Sequence, residues 1–186
     1  MHRLSNLILG LFLLPILIVP IFFISLVILA KNGKPILYWS ERVGKDSVLF
    51  SMPKFRTMYR DTPEVATHLL NNADSYLTSF GKFLRKTSLD ELPQIYSVIK
   101  GNMNFVGPRP ALYNQDDLMS LRIKSGVDKL VPGITGWAQI NGRDDLLIPD
   151  KVKLELQYLN RRSIFFDIKI LYLTVIKVLS QDSVRH

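Results

Sequence analysis

Apolar positions are concentrated at one end of this chain. From Leu7 to Ala30 the sequence reads LILGLFLLPILIVPIFFISLVILA, 24 residues without a formal charge. That exceeds the ~20 residues a helix needs to cross the hydrocarbon of a bilayer. A soluble helix buries only a stripe, whereas this run is apolar on every face. A secretory leader would carry only about 7 to 15 apolar residues before a small-residue cleavage site, and LAKNGKP follows here instead. The pattern predicts a membrane-inserted anchor over residues 1–33. Pro15 and Pro20 each delete a backbone donor and crowd the preceding turn, so a bend is expected inside it. Arg3 precedes the run and Lys31, Lys34, Arg42 and Lys45 follow it. Basic flanks stay on the cytoplasmic side, which places residues 34–186 in the cytoplasm as one domain.

Beyond the anchor the period changes. ILYWSERVG and VLFSMPKFRTM alternate as short strands around a turn at Gly44 to Asp46. Alternation puts Lys54 and Arg56 on one face. Asp61 to Ser79 is polar and weakly periodic, a loop holding a short helix. Ile95 to Lys100 reads as a helix with Leu92, Ile95, Tyr96 and Ile99 on one side and Gly101 as its stop. MNFVGPRPALYNQDD passes from an apolar run into a rigid turn, Leu118 to Leu130 is helical in pattern, and VPGITGWAQINGRDD is rich in turn residues, with Asn141-Gly142 the sharpest signal. Two helices close the chain: about Lys151 to Arg161, then IFFDIKILYLTVIKVLS, with Phe166, Ile170, Leu171 and Leu173 apolar and lysines at Lys169 and Lys177. The second suits a core or a membrane surface equally. The expected fold is α/β, helix-rich with short strands.

Composition narrows the chemistry. The 186 residues include no cysteine, and the three histidines, His2, His68 and His186, are scattered. Disulfides, thiol nucleophiles, cysteine-ligated metals and a histidine cluster are thereby excluded. Lys and Arg number 24 against 16 acidic residues, a net charge of +8, which favours an anionic partner: phospholipid, phosphate-bearing substrate or nucleic acid. No aromatic–basic signature or recognition motif supports nucleic acid.

Against that basic background, TSLDELPQ (Thr87 to Gln94) sets Asp90 and Glu91 side by side just ahead of Pro93. With Asp90 as a helix N-cap, Pro93 falls in the first turn, where its missing donor has no partner to lose. The helix dipole would then favour the ionised carboxylate and draw phosphate oxygens to the same place. A capping aspartate is ordinary by itself, but an ionised one is also a competent nucleophile or magnesium ligand. Arg85 lies shortly before it. Arg109, in GPRP, is clamped between two prolines that restrict the backbone on both sides, and a rigid arginine matches phosphate with paired hydrogen bonds. Lys54, Arg56 and Arg143 complete the set of candidate phosphate-binding cations.

Four segments, KFRTM (Lys54 to Met58), TSLDELPQ, KGNMNFVGPRP (Lys100 to Pro110) and PGITGWAQINGR (Pro132 to Arg143), resemble in order the bacterial sugar transferase family of monotopic phosphoglycosyl transferases. The resemblance covers nearly the whole chain. It implies transfer of a sugar phosphate from a UDP-sugar to undecaprenyl phosphate at the cytoplasmic face of the bacterial inner membrane, among its phospholipids, with UMP leaving and a surface glycan begun. By the same resemblance Asp90 attacks phosphorus to form a covalent phospho-sugar enzyme, Glu91 is its partner and the base for the acceptor, and magnesium assists at Asp90. Arg109 falls on the substrate phosphates, with Lys54 and Arg85 in support. Larger relatives add a multi-span N-terminal region, so this chain looks like the minimal catalytic form. Family anchors re-enter as helix-break-helix with Ser before the bending proline; here Val19 precedes Pro20, the expected kink, and Pro15 is additional.

The rival from another class is a silent basic membrane adaptor that binds anionic lipid or a partner enzyme. The intact acidic pair and GPRP argue against it. The sugar is not legible in the sequence, and a homo-oligomer is compatible with it without being specified.

Overall fold

The computed structural model describes residues 2–62, 73–142 and 146–179. The apolar run forms one helix, α1 (His2–Asn32), continuous through Pro15 and Pro20. The break expected at Pro20 is therefore absent from the helix itself. Nor does α1 stand clear of the rest. Leu9, Leu13, Leu14, Leu17 and Ile21 pack on the main core, and Ile24 and Ile28 enter a second cluster with Phe55 and Leu84. The opposite side, with Phe12, Ile16, Phe22 and Phe23, is exposed. Among the described residues α1 is the helix long and apolar enough to cross a membrane, by length and composition.

Both ends of α1 are tied to the same body. Near its start the Arg3 guanidinium donates to the carbonyls of Val98 and Ile99, and Asn6 Oδ1 accepts from Phe105 N at 2.7 Å. At its end Arg56 donates to the carbonyls of Asn32 and Gly33, at 2.6 and 2.9 Å, satisfying helix-terminal acceptors that have no partner inside the helix. Asn32 also donates to Thr78 Oγ1.

Strands β1 (Leu37–Val43) and β2 (Leu49–Phe55) pair antiparallel, and β4 (Ala111–Leu112) joins the far side of β1. Pro53 is tolerated inside β2 because that strand is an edge. A second sheet pairs β3 (Asn104–Val106) with β5 (Gly133–Thr135) in parallel. The helices are α2 (Ser79–Lys86), α3 (Ile95–Lys100), α4 (Asp116–Ser125), the short α5 (Trp137–Ile140), α6 (Ile148–Arg161) and α7 (Ile164–Leu179). Mixed, helix-rich architecture with short strands is as the pattern predicts. The helix expected over Leu118 to Leu130 stops at Gly126, whose φ of 75° ends α4. Most of the Asp61 to Ser79 loop lies outside the described residues.

Met52, Val98, Met103, Val127, Tyr158 and Ile170 fill the main core. Tyr96, expected on the inner side of α3, points out instead and meets Trp39 edge-on. Helix α7 has two apolar sides. Ile170, Phe166, Leu171 and Leu173 face the core, whereas Phe165, Ile168, Tyr172 and Val175 are exposed. Tyr158 donates to Asp167 Oδ1 at 2.7 Å and Thr174 bonds Thr135 at 2.8 Å, which fixes α7 against α6 and β5.

Candidate active site

The acidic pair is not where capping would put it. Ser88 turns the chain through a left-handed conformation (φ 56°, ψ 17°) into a 3-10 helix, Leu89–Gln94, and α3 begins only after Gln94. Asp90 is thus inside the 3-10 segment rather than an N-cap. Neither Ser88 nor Gln94 makes a side-chain capping bond. The physical reason is Pro93: lacking a donor, it suits a tight turn feeding a helix better than the helix proper. The consequence is chemical. No backbone N–H claims the Asp90 carboxylate, which has no hydrogen-bond partner among the described residues.

Asp90 is nevertheless buried, at 8% exposure. Burial pushes its carboxyl above the usual aspartate value; Lys54 opposes this, Glu91 adds to it, and Arg85 and Arg109 oppose it more weakly. The expectation that its surroundings favour the charged form is corrected here, because desolvation outweighs the nearby cations. The Lys54 ammonium moves the other way, lowered by burial, with Glu91 opposing the shift and Arg109 adding to it.

Each cation arrives from a different element. β2 carries Lys54, whose Nζ donates to Glu91 Oε1 at 2.8 Å. The same oxygen accepts from Arg109 Nη2 at 3.3 Å, so Glu91 holds both side chains at once. Arg85 comes from the last turn of α2, and its Nε donates to Thr57 Oγ1 at 3.0 Å. Thr78 caps α2, accepting from Gly81 N at 2.9 Å. Gly81 is required by close approach, since a Cβ there would lie 2.0 Å from the Thr57 carbonyl oxygen.

Of the cations expected at the site, Lys54, Arg85 and Arg109 gather around Asp90 and Glu91. Arg56 does not. It follows the last residue of β2, is itself buried, and its Nη2 donates to the end of α1. Arg143 lies outside the described residues. Sequence reading also passed over Arg122 of α4, which reaches the Arg109 carbonyl, and Asn6, which with Arg3 holds the start of α1; no local signal marks these contacts.

The arrangement brings three cations to two carboxylates in a largely buried place, leaving an excess positive charge suited to phosphate oxygens. Of the pair, Asp90 is the carboxylate not bonded to a cation among the described residues. Magnesium prefers one or two carboxylates completed by substrate phosphates rather than an all-protein cage. The described residues hold no cluster of three metal-ligating side chains, so the lone Asp90 carboxylate fits that sparse pattern and no richer one.

Residues 1–181 match the family described as bacterial sugar transferase. The chain is 39% identical over 185 residues to an uncharacterized sugar transferase, EpsL, of Bacillus subtilis, covering 100% of this chain and 90% of that protein. It is 39% identical over 162 residues to the UDP-glucose:undecaprenyl-phosphate glucose-1-phosphate transferase of Escherichia coli, covering 83% of this chain and 35% of that one. With the undecaprenyl-phosphate galactose phosphotransferase of Salmonella typhimurium it shares 37% identity over 170 residues, 82% of this chain and 35% of the relative. The chain thus spans most of EpsL but about a third of the other two.

Proposed function

Because the chain belongs to the bacterial sugar transferase family, we propose that it moves a sugar phosphate from a UDP-sugar to undecaprenyl phosphate, through a phospho-sugar ester on Asp90. An Asp90 carboxylate oxygen attacks the phosphorus that bears the sugar. The bond from that phosphorus to UMP breaks, and UMP leaves with the electron pair. An oxygen of undecaprenyl phosphate then attacks the same phosphorus and restores the Asp90 carboxylate, leaving a diphosphate-linked sugar lipid.

The observation that carries this reading is the buried Asp90 carboxylate, without a hydrogen bond among the described residues and ringed by Lys54, Arg85 and Arg109. Phosphoryl transfer asks a protein chiefly for positioning and for neutralising charge, and those three residues provide both. Glu91, bonded to Lys54 and Arg109 through one oxygen, serves better as the group that aims them than as the base first expected of it. Asp90, together with the substrate's phosphate oxygens, would hold magnesium, which supplies further neutralisation of the diphosphate. Arg56 takes a structural role at the end of α1.

That both ends of α1 stay on one side of the membrane, without a break in the helix, is part of the proposal. Arg3 and Asn6 at one end and Asn32 at the other are bonded to one globular body. That supports both ends lying on the cytoplasmic side of the inner membrane. The exposed sides of α1 and α7 then face lipid. Labelling a cysteine placed at Ser5 in the otherwise cysteine-free chain checks this: reaction with a periplasmic reagent would mean a full span. The activity is tested by UMP release across a panel of UDP-sugars with undecaprenyl phosphate and magnesium. Turnover of at least one sugar, lost in Asp90→Asn, is expected; full turnover by that variant would remove Asp90 from its role.

A further inference from the structure

The backbone of the GPRP loop is held at three consecutive carbonyls by three separate elements. Pro108 O accepts from Gly133 N of β5 at 2.9 Å. Arg109 O accepts from Arg122 Nη2 of α4 at 2.9 Å. Pro110 O accepts from Arg42 Nη1 of β1 at 3.4 Å. Arg42 is itself held by Ser40 Oγ, to which its Nε donates at 3.0 Å; the middle bond differs in that its donor is fixed by a buried carboxylate. Arg122 Nε donates to Glu155 Oε2 at 2.8 Å, Nη2 also donates to Glu155 Oε1, and the two side chains are only 5% and 2% exposed.

A buried ion pair is a poor way to gain stability, since apolar residues of similar volume serve as well or better. The surroundings would suit them: Leu118 and Val152, about one helical turn from Arg122 and Glu155 on α4 and α6, are buried in a cluster with Val43 and Ala111. What an apolar pair cannot do is present an N–H to the Arg109 carbonyl. Arginine's planar fork can satisfy a carboxylate and still spare a donor for a third group, whereas a lysine ammonium holds no such fixed geometry.

We infer that Arg122 and Glu155 are positioning residues for Arg109: the pair clamps the carbonyl of residue 109 so that the arginine's own side chain is delivered to Glu91 and the substrate phosphates. Asp90 and the cations carry the chemistry; Arg122 acts on it through the loop. The inference rests on the function proposed above only for the part Arg109 plays toward phosphate.

Two variants of the full-length protein in detergent or nanodiscs test it, each with thermal unfolding, amide hydrogen exchange and UMP release. Arg122→Met/Glu155→Leu removes the charges together and is expected to keep the thermal midpoint. Exchange at Gly107, Arg109 and Ala111 rises, and turnover falls roughly 10- to 100-fold, the usual effect of losing an outer-shell partner. Arg122→Lys gives the same split between stability and activity. In an Arg109→Ala background, adding Arg122→Lys costs little further turnover, because the effect runs through Arg109. A doubly apolar variant that folds with wild-type loop exchange and wild-type turnover would overturn the inference, as would losses at positions 109 and 122 that simply multiply. Should the wild-type protein release no UMP at all, the proposed function fails while the exchange arm still decides whether the pair clamps the loop.

Discussion

Two acid–base groupings lie on either side of the same loop, and their difference separates work from support. Around Asp90 and Glu91 the charges do not close: three cations meet two carboxylates, and among the described residues the Asp90 oxygens have no hydrogen bond. At Arg122 and Glu155 they close completely, fork to carboxylate, with the spare donor given to backbone. Burial alone does not distinguish them, for Asp90 and Arg122 are similarly enclosed. What distinguishes them is whether the partners are already satisfied. Under the proposed function the reacting carboxylate has to be free to bond to phosphorus, whereas a supporting one has to be fully occupied.

That contrast breaks most sharply at Asp90. Asp90→Asn should lower UMP release by on the order of 10^4-fold or more, the scale of losing a covalent nucleophile; Glu91→Gln, which leaves the nucleophile in place, should cost less in the same assay. On the closed side the largest effect is on stability. Glu155→Ala strands a buried guanidinium and should destabilise the protein by about 3–5 kcal/mol, read from denaturant or thermal midpoints.

Proton titration sharpens the comparison further. Burial raises the Asp90 carboxyl above its ordinary range and Lys54 restrains it, so the acid limb of kcat/KM should lie above that of a solvated aspartate. Lys54→Met removes the restraint, lifts Asp90 higher still, and should move that limb to higher pH. A limb that stays in place would separate Lys54 from Asp90. The smallest effect runs opposite to the catalytic one. Since the folded-state pKa of Asp90 exceeds its unfolded value, its ionised form weakens the fold as pH rises through that interval. Asp90→Asn should therefore raise the thermal midpoint at neutral pH, and the gain should vanish below the ordinary carboxylate value of about 3.9. At Glu155 no substitution that leaves Arg122 unpaired should do so.

Much of the candidate site was visible before folding. Lys54 is carried by β2 and Arg85 by α2, whereas Asp90, Glu91 and Arg109 stand in short distinctive segments, because the turns that present them demand proline and glycine at set places. Gly133 and Gly136 illustrate this: a Cβ at either would lie 2.1 Å from backbone atoms of Gly107, so the PGITG run reports how closely β5 passes the GPRP loop. Other readings misled. Arg56 has the right strand parity for the site, yet it lies beyond the end of β2, where α1 offers bare carbonyls. Asp90 looked like a cap because a proline three residues on allows one, and a 3-10 turn is equally allowed.

Residue order alone was enough for the apolar run, the lack of cysteine, the acidic pair and most of the strand and helix positions, because each depends on neighbours within a few positions. Only the folded chain decided which cations reach that pair, that one side of α1 packs on the domain, and that Arg122 meets Arg109. Those outcomes depend on contacts between residues 13 to 99 positions apart, and on the desolvation such contacts create. No local pattern encodes the burial that leaves the carboxylate of Asp90 both enclosed and unclaimed.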